Sequence, residues 1–89
     1  MAIEPHEEPE VGERFLDILS RDAAVRERYI EAGDDEEAVA KIIAEHTGRD
    51  VEAKNLAGMA KHLSENKAEQ CNELAAMYPA MNLVVVSST

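Results

Sequence analysis

The side chains able to do chemistry in this 89-residue chain are few and scattered. Cys71 is the only thiol, and its place on an apolar helical stripe predicts a buried, inert sulfur rather than a nucleophile. His6, His46 and His62 lie far apart and match no ligand spacing, so no metal site is expected. His46 falls in the last turn of its predicted helix and reads as a packed or dipole-bound ring. His62 follows Lys61 and is expected to meet solvent. The acids from Asp34 to Glu37 lack the spaced ligands and central glycine of a calcium loop, and read as a solvated helix start. The glycines at 12, 33, 48 and 58 form no phosphate cradle. Gly58 either admits a neighbouring backbone or is simply tolerated within a helix. No nucleophile, base and orienting group can be assembled, so no catalytic residue is assigned and no enzyme is expected.

What remains is the backbone of the final stretch, PAMNLVVVSST. Leu83, Val84, Val85 and Val86 make an apolar run with three consecutive β-branched residues, suited to an extended chain rather than a helix. A lone terminal strand has no neighbour of its own. Left exposed, it would be an aggregation hazard. It is therefore either an edge strand for its own domain or a dimer, or a peptide that an outside groove receives through backbone hydrogen bonds and alternate side-chain pockets.

The segments before it must position that run. Residues 1–10, with two prolines and four glutamates, are expected to be a disordered acidic lead-in. From Val11 the pattern is helical: Phe15, Leu16, Ile18 and Leu19 form one broad stripe. Ser20 is placed as the cap of a second helix carrying Val25, Tyr29 and Ile30, which Gly33 stops. Asp34 and Glu37 have capping-box spacing for a third, with Val39, Ile42, Ile43 and His46 on one face and Gly48 at its end. Asp50 is read as the start of a fourth, through Leu56, Met59, Ala60 and Leu63. Asn66 with Glu69 restarts a fifth, through Cys71, Leu74, Ala75 and Tyr78, up to the Pro79 break. Residues 50–78 are read as two helices because the polar SENK stretch separates the stripes. The expected architecture is all-α: a small bundle of four or five short helices over 11–78, then an extended C-terminal tail over 79–89.

Composition narrows the partners. The net charge of -10 argues against nucleic-acid binding, which needs cations to displace counterions from phosphate. It favours a basic protein surface. One thiol and a polar, glutamate-rich start without a leader pattern point to a cytoplasmic protein. No apolar run approaches the length that spans a bilayer. Phe15, Tyr29 and Tyr78 are the only aromatics available to anchor a core.

An acidic helical module of FLDILSRDAAVRERYIEAG type running through Tyr78, a proline break and then LVVVS: this arrangement resembles the split borosin precursors. These are ribosomally made peptides whose helical binding domain is similar to the small subunit of extradiol ring-cleavage dioxygenases. The stretch FLDILSRDAAVRERYIEAGDDEEAVAKIIAEHTG also resembles leader peptides named for nitrogen fixation, but the double-glycine cleavage site of those leaders is missing before the tail. The borosin resemblance implies that a separately encoded methyltransferase, in a hetero-oligomer with this chain, methylates backbone amide nitrogens near the C-terminus. S-adenosylmethionine would belong to that partner, and this chain would hold no cofactor. An extended chain presents alternate amides to the same side, so Val84 and Val86 are the preferred acceptors, with Leu83 and Val85 as the alternative pair. Two rival expectations stand beside it: an acidic helical adaptor or small regulatory subunit whose tail adds a strand to a larger enzyme, and a dimer that exchanges the tail.

Overall fold

A computed structural model describes residues 1–79 and 81, and among these the regular structure is entirely helical. Five α-helices follow one another: α1 (Glu8–Arg21), α2 (Ala23–Ala32), α3 (Glu36–Thr47), α4 (Leu56–Asn66) and α5 (Ala68–Met77). Two short 3-10 turns, Pro5–Glu7 and Ala53–Asn55, precede α1 and α4. The all-α bundle expected from periodicity is therefore what forms, and residues 50–78 do hold two helices rather than one.

The stripes face one core. Val11, Phe15, Leu16 and Leu19 of α1 meet Leu56, Met59, Ala60 and Leu63 of α4 across the main interface of the bundle. Paired residues rise together along both helices (Gly12 beside Met59, Glu13 beside His62), so α1 and α4 run in the same direction. α2 and α3 form a hairpin on α1, and α5 packs on α4. Phe15 and Tyr29 are fully enclosed, with ring centroids 5.6 Å apart in an edge-to-face contact, the arrangement the ring quadrupoles favour.

The caps of α2 and α3 differ from expectation by a residue or two, for local reasons. Asp22, not Ser20, caps α2: its carboxylate accepts from the amides of Ala24 and Val25 at 3.0 and 3.4 Å. Ser20 instead stays helical and donates back to the Leu16 carbonyl at 3.0 Å. Asp35, not Asp34, caps α3 by accepting from the Ala38 amide at 3.2 Å. Gly33 and Gly48 end their helices at φ of 56° and 71°, where a side chain would be strained. The buried residue in the last turn of α3 is Thr47; His46 is exposed.

The largest correction concerns residues 1–10. They are not a disordered lead-in. Ile3 is buried in the core, and its amide donates to the Asp50 carbonyl at 2.8 Å. Pro5 opens a 3-10 turn, and α1 begins at Glu8 with Pro9 in its first turn, where a missing N–H costs nothing. Asp50 accordingly does not start α4. It lies in the connection that receives the N-terminal segment, and α4 starts after Asn55.

Candidate functional site

Among the described residues, no three His, Cys, Asp and Glu side chains converge as a metal site would need. Cys71 is buried, and desolvation pushes its thiol above the ordinary value, which suppresses the nucleophilic thiolate. His46 lies on the surface with Nε2 3.1 Å from an Arg28 guanidinium nitrogen. That guanidinium also pairs with Glu45 at 2.9 Å. The Arg28 hydrogen bond and charge hold the Glu45 carboxyl below its usual range. Asp35 of the acidic run is occupied as a helix cap.

His62, expected to meet solvent, is instead half-buried between α1 and α4. Its Nε2 lies 2.5 Å from Glu13 Oε2, and the side-chain amide of Asn66 lies 3.2 Å from Nδ1. Lys67 approaches the same carboxylate at 3.8 Å. The hydrogen bond from His62 is the main reason that Glu13 ionises more readily than an ordinary glutamate. No nucleophilic side chain is shown at this pair, so it reads as a clasp between helices.

A second polar cluster escaped sequence reasoning altogether. Asn55 is buried at the start of α4, and its side chain serves three partners: its amide donates to the Ile3 carbonyl at 3.1 Å and to Glu8 at 2.8 Å, and its oxygen accepts from the Glu52 amide at 3.0 Å. Glu8 reaches it by lying over Gly58, where any Cβ would collide with the carboxylate. Gly58 thus admits a carboxylate, not a backbone. An Asn before an apolar stripe was the available signal, but an exposed cap would look the same in sequence.

The remaining feature is the C-terminal end of α5. α5 ends at Met77, and its cap residue Tyr78 precedes Pro79. The Met81 amide donates to the Tyr78 carbonyl at 2.8 Å, closing a turn with proline in its second position. Met81 is then buried in the core. The Tyr78 ring is covered by the Arg26 guanidinium, whose carbon lies 4.4 Å from the ring centroid. Arg26 in turn donates to the Leu19 carbonyl at the end of α1, at 2.8 Å. Near this turn, Ser20, Glu69, Gln70, Glu73, Leu74 and Met77 line an open groove, and Met77 is 63% exposed. The residues singled out for modification and partner binding, Leu83, Val84, Val85 and Val86, lie outside the described residues.

Compared with protein-family models, with curated proteins and with solved structures, the chain matches none. No helix among the described residues is long and apolar enough to cross a membrane.

Proposed function

We propose that this chain is a substrate precursor: its helical domain docks a separate, S-adenosylmethionine-dependent methyltransferase, which methylates backbone amides in the segment from Leu83 to Val86. One observation carries the reading. Among the described residues, one core that includes both Ile3 and Met81 encloses the apolar stripes of the helices, and in sequence the β-branched run begins three positions after Met81. The segment with the least helical chemistry thus follows directly on the domain best suited to be a handle. Tethering raises the local concentration of the tail at a partner's active site, so the tail itself needs only weak affinity there.

The chemistry fits an extended, β-branched acceptor. An amide nitrogen is a poor nucleophile while its lone pair is delocalised into the carbonyl. A base of the enzyme removes the N–H proton, the nitrogen bonds to the donor's methyl carbon, the methyl–sulfur bond breaks, and S-adenosylhomocysteine departs. The acceptor N–H must first be free of internal hydrogen bonds and held at near-attack distance. Val84 and Val86 are the proposed acceptors, with Leu83 and Val85 as the alternative pair. The base and the methyl donor belong to the partner; this chain contributes docking surface and nitrogens, works in the cytoplasm and is not itself an enzyme.

The test is incubation of the full chain with the candidate methyltransferase and S-adenosylmethionine, followed by fragment mass spectrometry. Increments of one methylene on backbone positions within 83–86 are expected. Val84→Pro should abolish the increment at that position, because proline has no N–H to exchange. A stable complex that never acquires an increment would refute the proposal.

The exposed side chain of Met77 beside the acidic residues Glu69 and Glu73 also favours a second reading, an acidic helical adaptor or small regulatory subunit. In that case, removal of residues 82–89 would weaken a complex and no covalent change would occur.

A further inference from the structure

We propose that the groove between the end of α1 and α5 docks a basic amphipathic helix of a partner protein, which sets two cations on Glu69 and Glu73 and an apolar side chain on Met77. That this partner is the methyltransferase rests on the precursor reading; the surface and its charge do not.

Two helices build the groove. Ser20, in the last turn of α1, accepts a hydrogen bond from the Gln70 side-chain amide at 3.3 Å, which joins the end of α1 to α5. Leu74 lines the groove and is itself buried. Glu69, Glu73 and Met77 follow one another along α5 at one-turn spacing, so two carboxylates and a thioether stand in a row, each about 6 Å from the next. Among the described residues, Met1 is the only other large apolar side chain as exposed as Met77. An unbranched thioether adapts readily to the shape of an apolar partner.

The charge of this row is not neutralised within the domain. Neither carboxylate has an ion-pair partner among the described residues. Cations on the flanking segments are committed elsewhere: Arg21 to Asp17 at 3.3 Å, Lys67 to Glu13 at 3.8 Å, and Arg26 to the Tyr78 ring and the Leu19 carbonyl. Like charges one turn apart repel, and cations held over them relieve that repulsion. Spacing alone does not single the row out, since Glu27 and Glu31 repeat it on α2. The groove beside Glu31, however, is also lined by Arg28 and Lys41, whereas no cation is among the described residues lining the α1–α5 groove.

Charge also decides among occupants. Residues 80–89 contain no lysine or arginine, so the chain's own C-terminal segment brings no basic side chain to the row. A second copy carries a net charge of -10, and repulsion opposes its approach to an acidic surface. A helix with two cations one turn apart and an apolar residue one turn further matches all three features, in the manner of an amphipathic helix laid into a groove.

Two experiments test the surface. The first needs no methyltransferase. The full chain, isotopically labelled, is titrated with an alanine-rich helical peptide whose one face carries two arginines one turn apart and a leucine one turn beyond. Amide shifts should concentrate at Ser20 and from Glu69 to Met77, and added salt should weaken binding several-fold. Glu69→Gln with Glu73→Gln should weaken it about tenfold, and Met77→Ala about threefold. Glu27→Gln with Glu31→Gln removes the same charge from exposed positions on α2 and should leave binding within about twofold. Equal losses in the two double variants would mean that only net charge is sensed, and would overturn the proposal. Removal of residues 82–89 that shifts the groove amides away from their peptide-bound positions on saturation, or a self-association that the groove variants abolish, would overturn it too. Those results assign the groove to the chain's own tail or to a second copy.

The second experiment uses the methyltransferase that modifies the wild-type chain, in the absence of methyl donor. Glu69→Gln with Glu73→Gln should weaken that complex by about the same factor, and the α2 variant should not. An enzyme that binds and methylates the groove variant as well as the wild type overturns the groove and leaves the precursor reading standing. If no methyltransferase modifies the wild-type chain, the precursor reading falls, and the peptide titration alone decides the groove.

Discussion

The two ends of the folded domain are each pinned by one buried apolar residue, Ile3 and Met81, yet different physics fastens them. At the N-terminal end the pin is polar: Ile3 exchanges hydrogen bonds with Asp50 and with the buried Asn55, and Asn55 is shared with Glu8 and Glu52. At the C-terminal end the pin is a thioether, one turn hydrogen bond and a cation over a ring. A buried polar network is demanding, because each member left without a partner keeps its full desolvation cost. An apolar plug under a partly exposed cation–ring contact can loosen by degrees. The first kind of end suits a permanent part of the domain.

Breaking the polar end should have the largest effect. Asn55→Ala removes hydrogen bonds to three partners at once and is expected to cost about 3 kcal/mol of unfolding free energy, measured by denaturant titration. A loss no greater than that of an exposed substitution would mean that the network is solvated and the contrast false. Truncating the two pins comes next. Ile3→Ala and Met81→Ala should each cost about 2 kcal/mol, but only Ile3→Ala should speed amide exchange at Asn55 and Leu56.

The pairing of Glu8 with Gly58 allows a finer comparison. Gly58→Ala should cost about 1 kcal/mol in the wild-type chain, because the carboxylate must leave Asn55 while the helix gains only the alanine preference. In a Glu8→Ala background the same substitution should stabilise by about 1 kcal/mol. Equal effects in both backgrounds would show that the carboxylate does not sit over Gly58.

The smallest effect is a pH dependence. Glu13 and Glu45 both ionise below the ordinary glutamate value of 4.5 in the folded chain. Their contributions are therefore complete above that value and are lost as pH falls through the lowered folded values. Both carboxylates are exposed enough for water to screen them, so the loss is modest. Glu13→Gln should flatten the stability curve below pH 4.5 by lowering stability modestly at neutral pH, while leaving it nearly unchanged in acid, where the carboxyl is protonated in both states.

The helices and the faces they bury were legible because an apolar stripe at helical spacing can be enclosed in essentially one way. The split of residues 50–78 was legible for the same reason, since SENK interrupts the stripe. Helix starts were less so: Ser20 and Asp22, or Asp34 and Asp35, are equally good caps on paper, and the choice between neighbours turns on which carboxylate meets the free amides. The contact of Arg26 with Tyr78 could not be read, because the two are 52 positions apart and neither belongs to a recognisable pattern. Nor could the buried role of His62, whose partner Glu13 sits on another helix.

By itself, then, the order of residues determined an all-helical domain, the inward face of each helix and the abrupt change of chemistry after Pro79. All of these follow from local periodicity and from what proline and β-branched residues permit. Only the tertiary structure decided that Ile3 and Met81 are core residues, that Glu8 closes over Gly58 and that Arg26 covers the Tyr78 ring. Each of these depends on polar groups or isolated apolar side chains finding partners far away in the chain, and the free energy of such a contact exists only once both sides are in place.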